Sequence, residues 1–232
     1  MGNLLLIYRK ELRSYFALPV GWVLLIGAAI LFGLITYAAC HDVLRLQLAA
    51  PVFLLTGFQP PPVLRDQPVM LVVGFARIMA LIVIPMVAMR LFPEERQMRT
   101  MEMLLTSPVS EADIVLGKWL AALTLYLMAM AVSLAELVCA SPWRKWDWNT
   151  LFVAFTALAV LGGSLLSIAE CVSTVTRHQS AAAGGSLLIC VAAFRCFRTG
   201  VPSPADVGIA AALAATGWLL ALRSIRAWRS AY

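Results

Sequence analysis

Three ionisable residues lie inside long apolar runs: Arg77, Glu136 and Glu170. Such a side chain is costly in hydrocarbon unless it is paired, so each is a candidate for function or for a structural ion pair. Arg77 and Glu136 fall at similar depth in adjacent predicted spans, and the expectation is that they approach and neutralise one another. Glu170 lies about two turns before Arg177, near the opposite interface, where it is expected to reach the lipid headgroups. Other chemistry lacks parts. Gly117-Lys118 is followed by Trp119, and Ala112 stands where a GxxxxGK[ST] phosphate loop has its first glycine, so ATP is not bound and hydrolysed by that route. Gly162-Gly163-Ser164 lacks the closing glycine of a nucleophile elbow, and no histidine is placed to help it. Cys40, Cys139, Cys171, Cys190 and Cys196 show neither CxxC nor Cys/His spacing. They read as small buried hydrophobes, and no metal site is expected.

Glu94-Glu95-Arg96-Gln97-Met98-Arg99 resembles EExxxR, the first motif of the CAAX-processing-type intramembrane proteases. In that family, paired glutamates activate water, and downstream histidines in FxxxH and HxxxN/D settings are also needed. This chain has two histidines. Tyr37 and Arg45 stand four residues either side of His41, and Thr174 and Ala182 stand at the same offsets from His178. Neither completes the motif, and the glutamates sit in a polar loop. A glutamate protease using Glu94 and Glu95 is therefore the alternative reading.

The elements that must hold these residues are apolar. The chain of 232 residues is 62% hydrophobic and 13% charged, with a mean hydropathy of +0.87. A soluble domain is about a quarter charged. The apolar excess is too large for a core of this size, so lipid is the expected solvent. About 20 apolar residues suffice to cross a bilayer as a helix. Six segments qualify: Val20–Ala39, Val69–Met89, Trp119–Val138, Leu151–Val172, Ala181–Phe197 and Ala205–Leu222. None shows the alternation of a barrel strand. The run after Met1–Phe16 exceeds a secretory h-region of about 7–15 residues, so an uncleaved first span is expected.

By this assignment Arg9, Lys10, Arg13, Arg90, Arg96, Arg99, Lys118, Arg177, Arg223, Arg226 and Arg229 share one side. Arg45, Arg65, Arg144, Lys145, Arg195 and Arg198 fall on the other. The richer side marks the cytoplasm, which places both termini inside. The net charge of +6 then reflects topology and anionic headgroups rather than nucleic acid.

Asn3–Phe16 reads as an amphipathic helix on the membrane surface, with Arg9, Lys10 and Arg13 opposite Leu5, Leu6 and Leu12. Pro19 breaks it. The proline-rich segment His41–Gln67 is expected to be an irregular or re-entrant outer loop. Pro85 should kink the second span. Trp143, Trp146 and Trp148, between the third and fourth spans, suit a headgroup interface. A tight turn near Thr176–Gln179 joins the fourth and fifth spans. Between the second and third spans lies the longest polar insert. In it Thr100–Leu105 is a short amphipathic stretch, Ser107-Pro108 ends it, and Ser110-x-x-Asp113 resembles a capping box with Asp in place of Glu or Gln. A loop of both signs of charge has no part in burying a core, and it reads as a docking surface for a soluble partner.

Glu94-Glu95-Arg96, then Thr100-Met101-Glu102-Met103-Leu104-Leu105-Thr106-Ser107-Pro108-Val109, then Ile114-Val115-Leu116-Gly117-Lys118, resemble the signature of ABC-2 type transporter permeases, roughly EER…GT-x-E-LLL-T-x-P…I-x-x-G-K. Tyr8–Phe16 with Pro19-Val20-Gly21-Trp22 is similar to the elbow helix of the gliding-motility-type branch. Ser173–Gln179 is similar to that family's SxLTxNQ turn. The chain departs from the pattern at Arg99, Glu170, Cys171 and His178. The resemblance implies one all-α transmembrane domain over residues 1–232, with an elbow helix at 3–16, a coupling loop at 91–118 and six spans. It implies a multi-pass protein of the cytoplasmic (inner) membrane with both termini cytoplasmic. It implies an ABC exporter subunit that works as a homodimer or with a second permease. Such a subunit is not itself an enzyme and holds no cofactor, ATP being bound by a separate ATPase. The implied docking residues are Glu94, Glu95, Arg96, Thr100, Glu102, Leu104, Leu105 and Ser107, with Arg177 and His178 as a smaller second contact.

Overall fold

The computed structural model describes residues 2–17, 19–56, 80–81, 83–93, 110–140, 148–176, 178–196 and 204–229. Among them there are helices and no strands. The elements are α1 (Gly2–Ala17), α2 (Pro19–Thr56), α3 (83–91), α4 (Glu111–Ala140), α5 (Trp148–Val175), α6 (Gln179–Cys196) and α7 (Pro204–Arg229). Four segments are long and apolar enough to cross a membrane: Gly21–Ala38, Glu111–Cys139, Leu151–Val175 and Gly208–Ala227. They match the first, third, fourth and sixth predicted spans. A shorter apolar helix, Gln179–Ala192, stands at the fifth, and only the C-terminal part of the second falls within the described residues.

The corner between α1 and α2 follows from its sequence. Pro19 opens α2, where its fixed φ suits a first helical position and its missing N–H has no partner to lose. Two residues later the Tyr15 carbonyl lies where a Cβ on Gly21 would stand, so a side chain there is excluded. The Trp22 indole donates to the Phe16 carbonyl at 3.1 Å, which caps one of the acceptors left over at the end of α1.

The outer segment departs from expectation. Residues 41–56 are not an irregular loop but continue α2, which runs for 38 residues. His41–Ala50 is rich in Leu, Ala, Arg and Gln, which favour helix, and this outweighs the bond that Pro51 forgoes. The remainder of the predicted loop, residues 57–67, lies outside the described residues, as does the tryptophan loop before Trp148.

α4 begins two turns before the predicted third span, at the capping motif. The Asp113 N–H donates to Ser110 Oγ at 3.1 Å, and the Ile114 N–H donates to the Ser110 carbonyl at 3.2 Å. Ser110 is thus an N-cap, and Glu111 and Asp113 add negative charge at the positive end of the helix dipole. Ser110→Ala is expected to cost about 1 kcal/mol, read as a lower thermal unfolding midpoint in detergent, whereas Ser110→Asp should leave the midpoint unchanged.

Helices pack through small residues, as expected where lipid competes for every apolar contact. The α5–α7 pairing is the most extensive among the described residues. At its centre a Cβ on Gly217 would meet the Ser167 carbonyl at 2.8 Å. The Tyr126 ring of α4 lies over Gly162 of α5 and donates its hydroxyl to the Leu158 carbonyl at 3.1 Å. Trp119 donates to the Gly163 carbonyl at 3.3 Å. The Gly-Gly-Ser stretch is therefore a packing surface for α4.

Candidate functional site

Polar side chains converge at the end of α3, where the polar insert of the sequence begins. Helical geometry is interrupted at Phe92, immediately before Pro93. A residue preceding proline is pushed away from the helical region, so the break is local in origin. It leaves the last carbonyls of α3 without their usual partners. Two side chains from other helices supply them. Ser173 of α5 donates to the Ala88 carbonyl at 2.8 Å and accepts from the Phe92 N–H at 3.3 Å. Its hydroxyl is thereby inserted between a donor and an acceptor four residues apart. Lys118 of α4 donates to the Leu91 carbonyl at 2.8 Å.

Lys118 is buried, with 1% of its side chain exposed, and its ammonium also donates to Glu11 of α1 at 3.1 Å. It lies 5.2 Å from the centre of the Phe92 ring, within cation–π range. Burial of an ammonium is costly unless it is paired and hydrogen-bonded. Here a carboxylate and a carbonyl from two different helices meet that need. The Lys118 contacts therefore tie α1, α3 and α4 together, and Ser173 ties α5 to the same turn of α3.

α1 lies along the start of α4 so that Glu11 can reach Lys118. Gly117 makes room for it: a Cβ there would come within 2.8 Å of Ile7 Cγ2. Tyr8 and Thr124 hydroxyls lie 3.2 Å apart. The opposite face of α1 carries exposed Arg9, Lys10 and Arg13, and Leu5 and Leu6 lie exposed beside them rather than across the helix as expected, because these five positions share one face at helical spacing. At the same end of the bundle Arg226 of α7 donates to Glu111 at 3.0 Å. Arg226 is 72% exposed and Glu111 19%, so the pair is open to solvent on one side and holds little stability.

Glu170 departs from expectation. It does not reach the headgroups but is wholly buried. It lies one turn before Ser173 on the buried face of α5, with Ser167 a further turn away; Ser173 meets α3 and Ser167 meets Gly217 of α7. Among the described residues neither of its carboxyl oxygens has a hydrogen-bond partner. Glu136 lies on α4 against α2, where a Cβ on Gly33 would stand 3.8 Å from its Oε2. That oxygen, and the hydroxyl of Thr36 one turn along α2, also lack partners among the described residues. Arg77, the expected partner of Glu136, lies outside the described residues.

So do the predicted docking residues Glu94, Glu95, Arg96, Thr100, Glu102, Leu104, Leu105 and Ser107, and Arg177. His178 is exposed in the turn between α5 and α6, where its carbonyl accepts the Ala182 N–H at 3.0 Å to open α6. The turn is as tight as expected, three residues separating the two helices. The cysteines are divided, Cys190 being buried, Cys171 half-buried and Cys139 exposed.

In the sequence Lys118 counted toward the basic side and the family signature, and Glu11 toward the elbow helix, but neither was expected in a site. The available signal was Lys118 closing the Ile-x-x-Gly-Lys stretch at the end of the polar loop, and Glu11 as the lone acid in a basic helix. Ser173→Ala is expected to leave the Ala88 carbonyl and the Phe92 N–H without this bridge. The cost should be about 1–3 kcal/mol, seen as faster amide exchange over residues 88–92.

A sequence model described as ABC-2 family transporter protein matches residues 5–204, the stretch that holds the collar of Glu11, Leu91, Lys118, Glu170 and Ser173. No curated protein matches the chain.

Proposed function

The chain belongs to the ABC-2 family of transporter proteins, and on that premise we propose that it is the permease subunit of an exporter driven by a separate ATPase. Family membership makes it a multi-pass membrane component of an ABC transporter. We infer a finer arrangement from the sequence. Residues 1–232 form one transmembrane domain of six spans, in the cytoplasmic membrane, with both termini inside. α1 is the elbow helix of the gliding-motility-type branch. The ATPase docks on the loop between the second and third spans, through Glu94, Glu95, Arg96, Thr100, Glu102, Leu104, Leu105 and Ser107, with Arg177 and His178 adding a smaller contact. ATP is bound on the partner and no cofactor on this chain. Two permeases, identical or sister copies, complete the assembly in lipid, and nucleic acid has no part. The family match lends no support to the glutamate protease.

The observation that carries this reading is the collar at the loop root. A force applied to the loop arrives first at residues 88–93. There Ser173 and Lys118 join α3 to α5 and α4, and Glu11 brings in α1. A push on the loop is thereby passed to four helices rather than absorbed by a slack connection. Closure of the ATPase around ATP shifts the spans only through unequal affinity for their arrangements, and the collar gives that difference a route. The test is co-purification. The wild-type chain should bring an ATPase subunit with it from native membranes, and the double variant Glu95→Lys, Glu102→Lys should lose it while remaining folded. An ATPase retained in full by the double variant would remove the loop as its docking site.

A further inference from the structure

We propose that Glu170 is the second seat of the Lys118 ammonium: a positioning residue that receives Lys118 from Glu11 when α1 moves off α4. The inference rests on the permease reading for its place in a transport cycle, though the exchange itself is a property of this chain.

The geometry begins at α3. Lys118 Nζ is bonded to the Leu91 carbonyl and Ser173 Oγ to the Ala88 carbonyl. Leu91 and Ala88 are one turn apart on α3, and Glu170 and Ser173 are one turn apart on α5. Lysine and carboxyl therefore stand within about a turn of the Ser173 bridge, one from α4 and one from α5. Trp119, the next residue on α4, donates to the Gly163 carbonyl two turns before Glu170 on α5, so the lysine is rooted beside this part of α5. Yet the two do not bond: the ammonium is held by Glu11 at 3.1 Å, and Glu170 has no partner for either oxygen among the described residues.

Among the described residues nothing satisfies Glu170 in either protonation state. Ionised, it is a buried acceptor without a donor. Protonated, it is a donor without an acceptor. Each condition costs free energy that solvent cannot relieve at a wholly buried site. A lysine offers three donors on a flexible four-carbon stem, so the proposed transfer is a rotation of that stem. Glu11 keeps α1 docked while it holds the ammonium. Transfer to Glu170 frees α1 and joins α4 to α5 directly. The collar then has two arrangements of the same three residues, and α1 is the element released in one of them.

The experiment uses the full chain purified in detergent, with no ATPase and no substrate. Thermal unfolding midpoints are compared for wild type, Glu11→Gln, Glu170→Gln and the double variant. In parallel, Tyr8→Cys and Thr124→Cys are introduced with the five native cysteines replaced, and their cross-linking reports docking of α1. With Glu170 as second seat, Glu11→Gln lowers cross-linking several-fold but shifts the midpoint little, because Lys118 moves to Glu170. The double variant then loses far more than the two single shifts combined, and Glu170→Asp, unlike Glu170→Asn, restores part of the loss in the Glu11→Gln background. Additive midpoint shifts, or equal behaviour of Asp and Asn at position 170, would overturn the exchange. Neither outcome bears on docking of the ATPase, which the co-purification test decides by itself.

Discussion

Lys118→Met is expected to undock α1 and to destabilise the chain by about 3 kcal/mol. The low end of the range for breaking a buried pair applies because Glu11 keeps 13% of its side chain exposed and regains some solvent when its partner is lost. The substitution also strips the Leu91 carbonyl of its donor, at the point where α3 hands over to the polar loop. The effect should appear as a lower unfolding midpoint in detergent and as new protease cleavage in α1. A companion variant separates charge from packing. Lys118→Met combined with Glu11→Leu removes both members of the ion pair, and replacing a buried pair by apolar groups is often close to neutral. Much of the lost stability should return. Any transport activity should not, since the link between α1 and the loop root would no longer be polar or exchangeable.

Gly217→Leu is expected to force α5 and α7 apart. An added Cβ would lie 2.8 Å from the Ser167 carbonyl carbon and oxygen and 3.1 Å from the Ile168 nitrogen. These are backbone atoms of a helix and cannot rotate aside, so the helices themselves must separate. The expected cost is about 3 kcal/mol, the upper part of the usual range for overpacking. Trp218 adjoins the site and packs edge-on against Trp119, with ring centres 5.6 Å apart. A change in tryptophan emission should therefore accompany the loss of stability. Gly208 on the same helix has no atoms within 4 Å of an added Cβ. Gly208→Leu should leave both signals where they are.

The parts of this fold that were legible in the sequence are those with a local cause. Pro19 starting α2, Ser110 capping α4 and the short turn after Val175 each depend on residues within a few positions of one another. The apolar runs of α2, α4, α5 and α7 were legible because lipid demands length and hydropathy together. The extension of α2 through Thr56 was not, because Pro51 reads as a break when its neighbours are not weighed against it. The collar was legible least of all. Lys118 in sequence is one more basic residue on the cytoplasmic side. Its burial follows from α1 lying along α4, and that contact turns on Gly117 leaving room for Ile7, 110 positions earlier. Glu170 was recognised as unusual, but its depth within α5 pointed to the headgroups. Its direction toward α3 and α4, set by packing, overrode that.

In the proposed permease a polar loop pushes and a buried lysine distributes the push. That requires the segment after the second span to face the cytoplasm, where an ATPase can reach it. The most direct measurement is accessibility of a single cysteine at that segment, Glu102→Cys, in a chain whose five native cysteines are replaced. A membrane-impermeant maleimide should leave this position unlabelled in intact cells and label it in inside-out vesicles. Labelling of position 102 from outside intact cells would contradict the account.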